Sequence, residues 1–306
     1  MAQLIKLKDY VSRYEWNAYR YPSQYIRLKQ ENWSKLYDLW LSYDAVDEEV
    51  EEVSEQTTFS RLKSFFKKDQ PSDDKEKVHM RDLLPNTEEQ LRHYFLDKLF
   101  PFQLKWATST VTDVSFVDQT YNHDPTLKYF LQRFPDIYLM MYYPVFNLKN
   151  APVESEIIFI SPHQIEVINL LEKDDSSIFM ASDERTWTVE TNHVQTKTLS
   201  PLIALRRTEQ IINSLLNMAN IQFPVTKTVL SRTNDIIFSS EPYNTNIVGK
   251  GQYDKWFETK RQLSSPLKNT QLKVIEVLLK HCLSHSVRRP EWEEEDEPFI
   301  VGEEDI

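Results

Sequence analysis

Three glycines in 306 residues constrain this chain more than any other feature. An average composition would supply about 21. Phosphate-cradling loops, dinucleotide-binding turns and nucleophile elbows all need clustered glycines, because there the backbone approaches a ligand closely or takes a positive φ. Gly249, Gly251 and Gly302 form none of these patterns, and Gly249-Lys250-Gly251 is expected to be a turn. The single Cys282 excludes internal disulfides and paired-cysteine zinc sites, and fits a reducing compartment. The longest nearly apolar run, Ile137 to Phe146, is too short to cross a bilayer. Met1 to Tyr10 lacks the apolar core of a secretion signal. The expectation is a cytoplasmic protein with no membrane partner.

The net charge is -11, but it is unevenly spread. Residues 47–56 hold six acids and residues 291–306 hold nine, with no base in either run. Outside those runs the formal charge is +4. A mildly basic body with two acidic appendages leaves DNA or RNA open as a ligand. Four segments are expected: an aromatic helical segment over 1–44, a charged linker over 45–85, an α/β domain over 86–289, and an acidic disordered tail over 290–306. A short helix is expected in the linker around Phe59–Lys68.

Residues 10–43 contain ten tyrosines and tryptophans. Tyr21-Pro22-Ser23 predicts a break, with Ser23 as a helix cap. Beyond it Ile26, Trp33, Leu36, Tyr37 and Trp40 recur at helical spacing. A helical hairpin packing its rings on the main body accounts for this pattern. Two functional readings stand beside it. One is a stacking platform for single-stranded nucleic acid, with Arg13, Arg20, Arg27 and Lys29 on phosphates. The other is a protein-docking surface. The acidic tail, with Trp292 and Phe299-Ile300-Val301 among its carboxylates, is a solvated end, a docking motif for a protein partner, or a cover for the body's own basic groove.

In the remaining chain, helix starts and short strands alternate. Asn86 and Glu89 have capping-box spacing, and Asp124-Pro125, Ser200-Pro201 and Ser265-Pro266 each put a cap before proline. Strands are predicted over Ile137–Tyr143, Glu156–Ile160, Ile165–Leu171, parts of Ser177–Val189, Phe223–Leu230 and Ile236–Ser239. The order predicts an α/β fold with a mixed central sheet flanked by helices. His281 and His285, four apart on a predicted helix, have the spacing of a metal pair. No third ligand is evident, and Cys282 stands where a zincin needs glutamate.

The order helix–strand–strand–strand–helix–strand resembles the restriction-endonuclease-like core of the PD-(D/E)xK nucleases. Residues 121–262, just under half the chain, resemble its nuclease-related domain (NERD) branch. The likeness rests on three stretches. Val153–Leu171 resembles the family's run from its acidic residue, through a short turn, to a Glu-x-Lys strand end. Thr186-Trp187 resembles a recurrent Trp after the third strand. Ser200-Pro201-Leu202-Ile203-Ala204-Leu205 resembles an Asn-Pro-x-x-Gln helix start.

What the resemblance implies is a site for Mg²⁺ or Mn²⁺, with hard carboxylate ligands and a lysine that holds or activates water. On this sequence Glu156 stands at the family's Asp, Asn169 at its Glu, Leu171 at its Lys, Ala204 at its Gln and Ser200 at its Asn. Taking Glu166 as the second acid does not help, because Ile168 then fills the lysine position. Glu154, Glu172 and Lys173 are nearby groups from which a remnant site could be assembled. The implied protein is therefore a NERD-like module that has lost nuclease catalysis, needs no metal or other cofactor, and acts in nucleic-acid metabolism by binding. Two alternatives are carried: an active Mg²⁺/Mn²⁺ nuclease using Glu156 as metal ligand with a relocated acid or lysine, and a protein–protein adaptor.

Overall fold

The computed structural model describes residues 1–44, 85–148 and 151–289. The expected linker and tail, the Phe59–Lys68 helix among them, lie outside the described residues. The chain divides into two compact units, Met1–Ser23 with Gln103–Ile306, and Gln24–Phe102.

In chain order the strands are β1 (Gln3–Leu7), β2 (Asp113–Val114), β3 (Leu139–Tyr142), β4 (Val145–Leu148), β5 (Ala151–Glu154), β6 (Ile157–Ile160) and β7 (Ile165–Leu170). They continue with β8 (Ser177–Met180), β9 (Thr186–Thr191), β10 (Val194–Leu199), β11 (Val225–Leu230), β12 (Asp235–Ile237), β13 (Thr245–Val248) and β14 (Val287–Arg288). The helices are α1 (Arg13–Trp16), α2 (Arg20–Asp44), α3 (Glu88–Ala107), α4 (Pro125–Arg133), α5 (Pro201–Met218), α6 (Lys250–Arg261) and α7 (Asn269–Lys280).

The larger unit is built on a six-stranded mixed sheet of order β1-β3-β6-β7-β11-β13. β3, β6 and β7 form an antiparallel meander. Helix α5 then carries the chain to β11, parallel to β7, as a helical crossover permits. β1 runs parallel to β3 at one edge and β13 parallel to β11 at the other. One sheet face meets an aromatic cluster, with Phe134 lying 5.2 Å from Phe159, 5.7 Å from Trp256 and 5.4 Å from Phe257. The other face packs on α5, whose Leu205, Ile212 and Leu216 are buried at helical spacing. A second sheet, β10-β9-β8-β12, buries Trp187 and Phe179. The mixed central sheet flanked by helices is the expected α/β class.

Strand β1 was not anticipated. Gln3 and Lys6 interrupt its apolar run, yet both are fully buried. The Lys6 ammonium donates to the Tyr10 carbonyl at 2.7 Å, to Glu15 at 2.5 Å and to Ser284 at 2.6 Å. Those partners make burial of the charge tolerable. Burial also pushes the nearby Cys282 thiol up to about 12, so it is not a poised nucleophile.

Other local expectations shift. Tyr21-Pro22-Ser23 is no break. Asn17 Oδ1 accepts from the amides of Tyr19 and Arg20 at 3.1 and 2.8 Å, and Pro22 falls in the first turn of α2, where its missing donor costs nothing. Helix α3 is capped by Thr87, whose hydroxyl accepts from Gln90 at 3.3 Å, not by Asn86. Ser265-Pro266 precedes α7 without opening it. That helix ends at Lys280, so His281 and His285 do not share a helical face. Their Nδ1 atoms lie 2.8 Å from the Val277 carbonyl and 2.8 Å from Asp9, which removes the metal-pair geometry. Gly249 caps α6 and sits where a Cβ would lie 2.8 Å from the Ile236 amide nitrogen, which accounts for glycine there.

In the smaller unit, the described residues form a helical pair. Trp33 stacks on Tyr37 at 5.7 Å and meets Phe95 at 5.3 Å, and the Trp40 indole donates to the Pro85 carbonyl at 2.7 Å. Several of the ring faces that a stacking platform would offer are taken by one another.

Candidate functional site

Five strands of the central sheet, β1, β3, β7, β11 and β13, run in one direction, so their carboxyl ends share an edge. Four of those ends lead within three residues to a cation: Lys8 after β1, Lys173 after β7, Arg232 after β11 and Lys250 after β13. The fifth leads to Tyr143. β6 starts at this same edge, immediately after Glu156.

Glu156 and Asn169 meet here. β6 pairs Ile157 with Ile168, and one further step of the antiparallel register sets Glu156 opposite Asn169. The Asn169 amide donates to Glu156 Oε2 at 3.0 Å. The Glu156 backbone amide donates to the Thr208 hydroxyl on α5 at 3.2 Å, which fixes the strand entry. Burial raises the Glu156 carboxyl above its ordinary range, and Glu154 adds to the rise; the Asn169 hydrogen bond and the Arg207 charge oppose it. Leu171 continues the ladder through its amide, 2.8 Å from the Leu230 carbonyl, and brings no polar atom to the pair.

Glu154 is exposed, with Lys8 at 3.9 Å and the Arg207 guanidinium 3.0 Å from its carbonyl. Lys173 is also exposed. Its amide donates to Asn234 at 2.9 Å, and among the described residues no ion pair joins its side chain to Glu156. Glu172 instead takes a bidentate grip from Arg232, at 2.6 and 2.7 Å, and the guanidinium lies 4.3 Å over Tyr129. Ala204 is half-buried on α5 and offers no donor where the resemblance implies a glutamine. Ser200 caps α5 without a side-chain hydrogen bond.

Groups missed from sequence complete the edge. Lys8 and Tyr143 both have left-handed backbones, with φ of 42° and 47°, and the Lys8 amide donates to the Tyr142 carbonyl at 3.0 Å. Two non-glycine residues in that region side by side mark local strain. Burial pushes the Tyr143 hydroxyl up to about 12, with Glu156, Asp124 and Glu154 contributing. Asp124 caps α4 through the Thr126 and Leu127 amides and accepts from Tyr142 at 2.9 Å. Burial works against the Lys8 charge, but its hydrogen bond to Tyr121 and the field of Glu154 outweigh this and raise its pKa. Of these, only Asp124 carried a sequence signal, its place before Pro125.

A divalent metal does not fit this donor set. One Glu156 oxygen is engaged by an amide donor, and among the described residues no three His, Cys, Asp or Glu side chains are placed to hold an ion. Glu166 cannot serve either. It lies an odd number of positions from Asn169, so it points through the opposite face of β7. There it accepts from Thr228 at 2.5 Å and Trp256 at 3.0 Å and pairs with Lys260 at 2.5 Å.

No family model matches this chain, and no solved structure matches it. A protein named RNA 2',3'-cyclic phosphodiesterase, from Geobacillus stearothermophilus, is 34% identical over 113 residues. The match takes in 34% of this chain and 36% of that relative, so the chain spans little more than a third of the relative's length. Among the described residues, no helix is long and apolar enough to cross a membrane.

Proposed function

We propose that this chain carries a nuclease-related domain that binds nucleic acid, RNA in particular, without cleaving it. One observation carries the reading: the Asn169 amide donates to Glu156 at 3.0 Å, where the resemblance implies a second carboxylate sharing a metal. A neutral donor there supplies no charge to a cation and occupies a lone pair that the cation would need. Leu171 leaves no ammonium to hold an attacking water.

The same edge retains what binding requires. Lys8, Lys173, Arg207 and Lys250 are at least partly exposed around the strand ends, and phosphate contacts from lysine and arginine provide affinity without sequence readout. The choice of RNA is supported by the printed name of the relative. Domain-level binding in nucleic-acid metabolism follows from the same resemblance.

The test is single-stranded RNA binding in EDTA across a salt series, with DNA of the same sequence beside it. Binding that needs no metal, weakens with salt and favours RNA supports the reading. No binding at low salt, or cleavage that requires Glu156, refutes it.

A further inference from the structure

Two rings of the aromatic run over residues 10–43 belong to the larger unit and stand at a cleft. Helix α1 packs on α7, and a cleft of about 600 Å³ is lined by Trp16 and Tyr19 on one side and by Glu276, Leu279 and Lys280 of α7 on the other. That volume lies within the roughly 300–1,000 Å³ of small-molecule sites. Trp16 is 65% exposed, whereas every other described tryptophan is buried or half-buried. Its indole therefore presents an open π-face on the cleft wall. Deeper in the cleft the polar groups are already used: the Ser284 hydroxyl lies 2.9 Å from both Glu15 oxygens, and buried Lys6 neutralises that acid at 2.5 Å. Glu276 is different. It is exposed and accepts from the Tyr19 hydroxyl at 2.7 Å, a bond that raises the Tyr19 pKa and keeps the phenol a donor. Among the described residues no cation pairs with Glu276, and a carboxylate oxygen has two lone pairs, so acceptor capacity remains. Lys280, one helical turn on, is exposed and has no counter-ion among the described residues.

The cleft thus offers a ring to stack on, a carboxylate held in place by a tyrosine, and an ammonium. Aromatic rings stack nucleobases, and a base is then read by hydrogen bonds to its Watson–Crick edge. A carboxylate only accepts, and two neighbouring N–H donors match its two oxygens. Guanine alone among the RNA bases presents two adjacent donors on that edge, its ring N–H and its exocyclic amino group. Adenine and cytosine set an acceptor beside their amino group, and uracil flanks its one N–H with carbonyls. We propose that this cleft binds a guanine nucleotide, with the base stacked on Trp16, its paired donors on Glu276 and its phosphate on Lys280. A free nucleotide and a guanosine within RNA share this chemistry. The site goes beyond the reading of the sheet edge and uses none of its residues.

The experiment is titration calorimetry of the full chain in EDTA with guanosine, the other ribonucleosides and guanosine monophosphate. Guanosine carries no phosphate, so its binding does not draw on the cations at the strand ends. It should bind roughly tenfold tighter than the other nucleosides, as one bidentate contact allows. Trp16→Ala should weaken it roughly fivefold or more, and Trp16→Phe, which keeps a ring, should recover most of that loss. Glu276→Gln sets an amide donor against the base donors and should erase the preference for guanine. Lys280→Ala should weaken the monophosphate several-fold, by roughly the worth of one phosphate contact, and leave guanosine unchanged. Guanosine should also quench tryptophan emission in the wild type and not in Trp16→Phe, which locates the base while binding persists. A short RNA that displaces guanosine, where the same RNA with adenosine in place of its guanosine does not, identifies the polymer as the source. Failure of both RNAs to displace it identifies the free nucleotide, and either outcome supports the site. The proposal is overturned if guanosine binds no tighter than the other nucleosides, or if its binding survives unchanged in both Trp16→Ala and Glu276→Gln. RNA binding at the strand ends without a preference for guanine sinks this proposal alone, and guanosine binding without RNA binding at low salt sinks only the other.

Discussion

Glu156 stands just before the β6–β7 hairpin and Glu166 lies within it, and the structure treats them in opposite ways. Glu166 is closed in by Thr228, Trp256 and Lys260, with both oxygens engaged. Glu156 has one amide partner, no ion pair among the described residues, and a carboxyl raised by burial against the opposing charge of Arg207. A buried charge that is fully paired belongs to the core. A half-buried charge left short of partners at the open end of a sheet is where ligands meet α/β folds, and perturbed carboxyls gather at such places. The hairpin thus separates a structural acid from one at the candidate site by strand parity and by place along the strands, Glu166 near the turn and Glu156 at the open end.

The largest expected effect falls on the core member of the pair. Glu166→Ala leaves the partly buried Lys260 without its counter-charge and the Thr228 and Trp256 donors without their acceptor, and should cost about 3 kcal/mol in urea denaturation. Glu156→Ala should stay within about 1 kcal/mol by the same measurement, since it removes one hydrogen bond at a half-buried position. Equal losses would erase the distinction between the two acids.

Next in size is the Glu172–Arg232 pair beside the site. Glu172→Gln should cost about 1–2 kcal/mol, because a bidentate, partly buried pair exceeds an ordinary surface pair. The pH dependence separates this acid from Glu156. Burial opposes ionisation of Glu172, but the side-chain and backbone donors of Arg232 outweigh it and depress its pKa. Its contribution is therefore present above the unfolded carboxyl pKa and fades as pH falls through the folded value. Glu156 is raised, so its contribution is present below the unfolded pKa and fades as pH rises through the folded value. Stability measured against pH in Glu172→Gln and Glu156→Gln should show the loss of opposite slopes.

The smallest effects concern binding. Lys8→Ala and Arg207→Ala should each weaken RNA only a few-fold and lower the salt slope by roughly one. A loss confined to one RNA sequence would point to base recognition instead.

Much of this was legible from sequence. Alternation from Ile165 to Asn169 and the Ser161-Pro162 turn placed the hairpin, and cap-then-proline signals placed α4 and α5. The Glu156–Asn169 meeting followed from the resemblance and the register. β1 was hidden because Lys6 and Gln3 break its pattern, and Lys6 is stabilised by Ser284, which lies 278 positions away. Ser265-Pro266 misled because α7 starts beyond it, and its Gln271 is buried, donating to the carbonyls of Ile137 and Ile160 at 2.8 and 2.9 Å. The ring of cations at the strand ends arises from sheet topology, which joins residues as distant as Lys8 and Lys250. No local pattern encodes that.

The central claim is that the Glu156–Asn169 pair holds a metal-free site. It is tested most directly by Mn²⁺ titration with RNA and DNA cleavage measured in parallel, on the wild type, Glu156→Ala and Asn169→Glu/Leu171→Lys. The account predicts no wild-type Mn²⁺ binding at Glu156 and no cleavage of either polymer, with Mn²⁺ affinity appearing only when the acid and lysine are put back. Wild-type cleavage that Mn²⁺ supports and Glu156→Ala abolishes would contradict it.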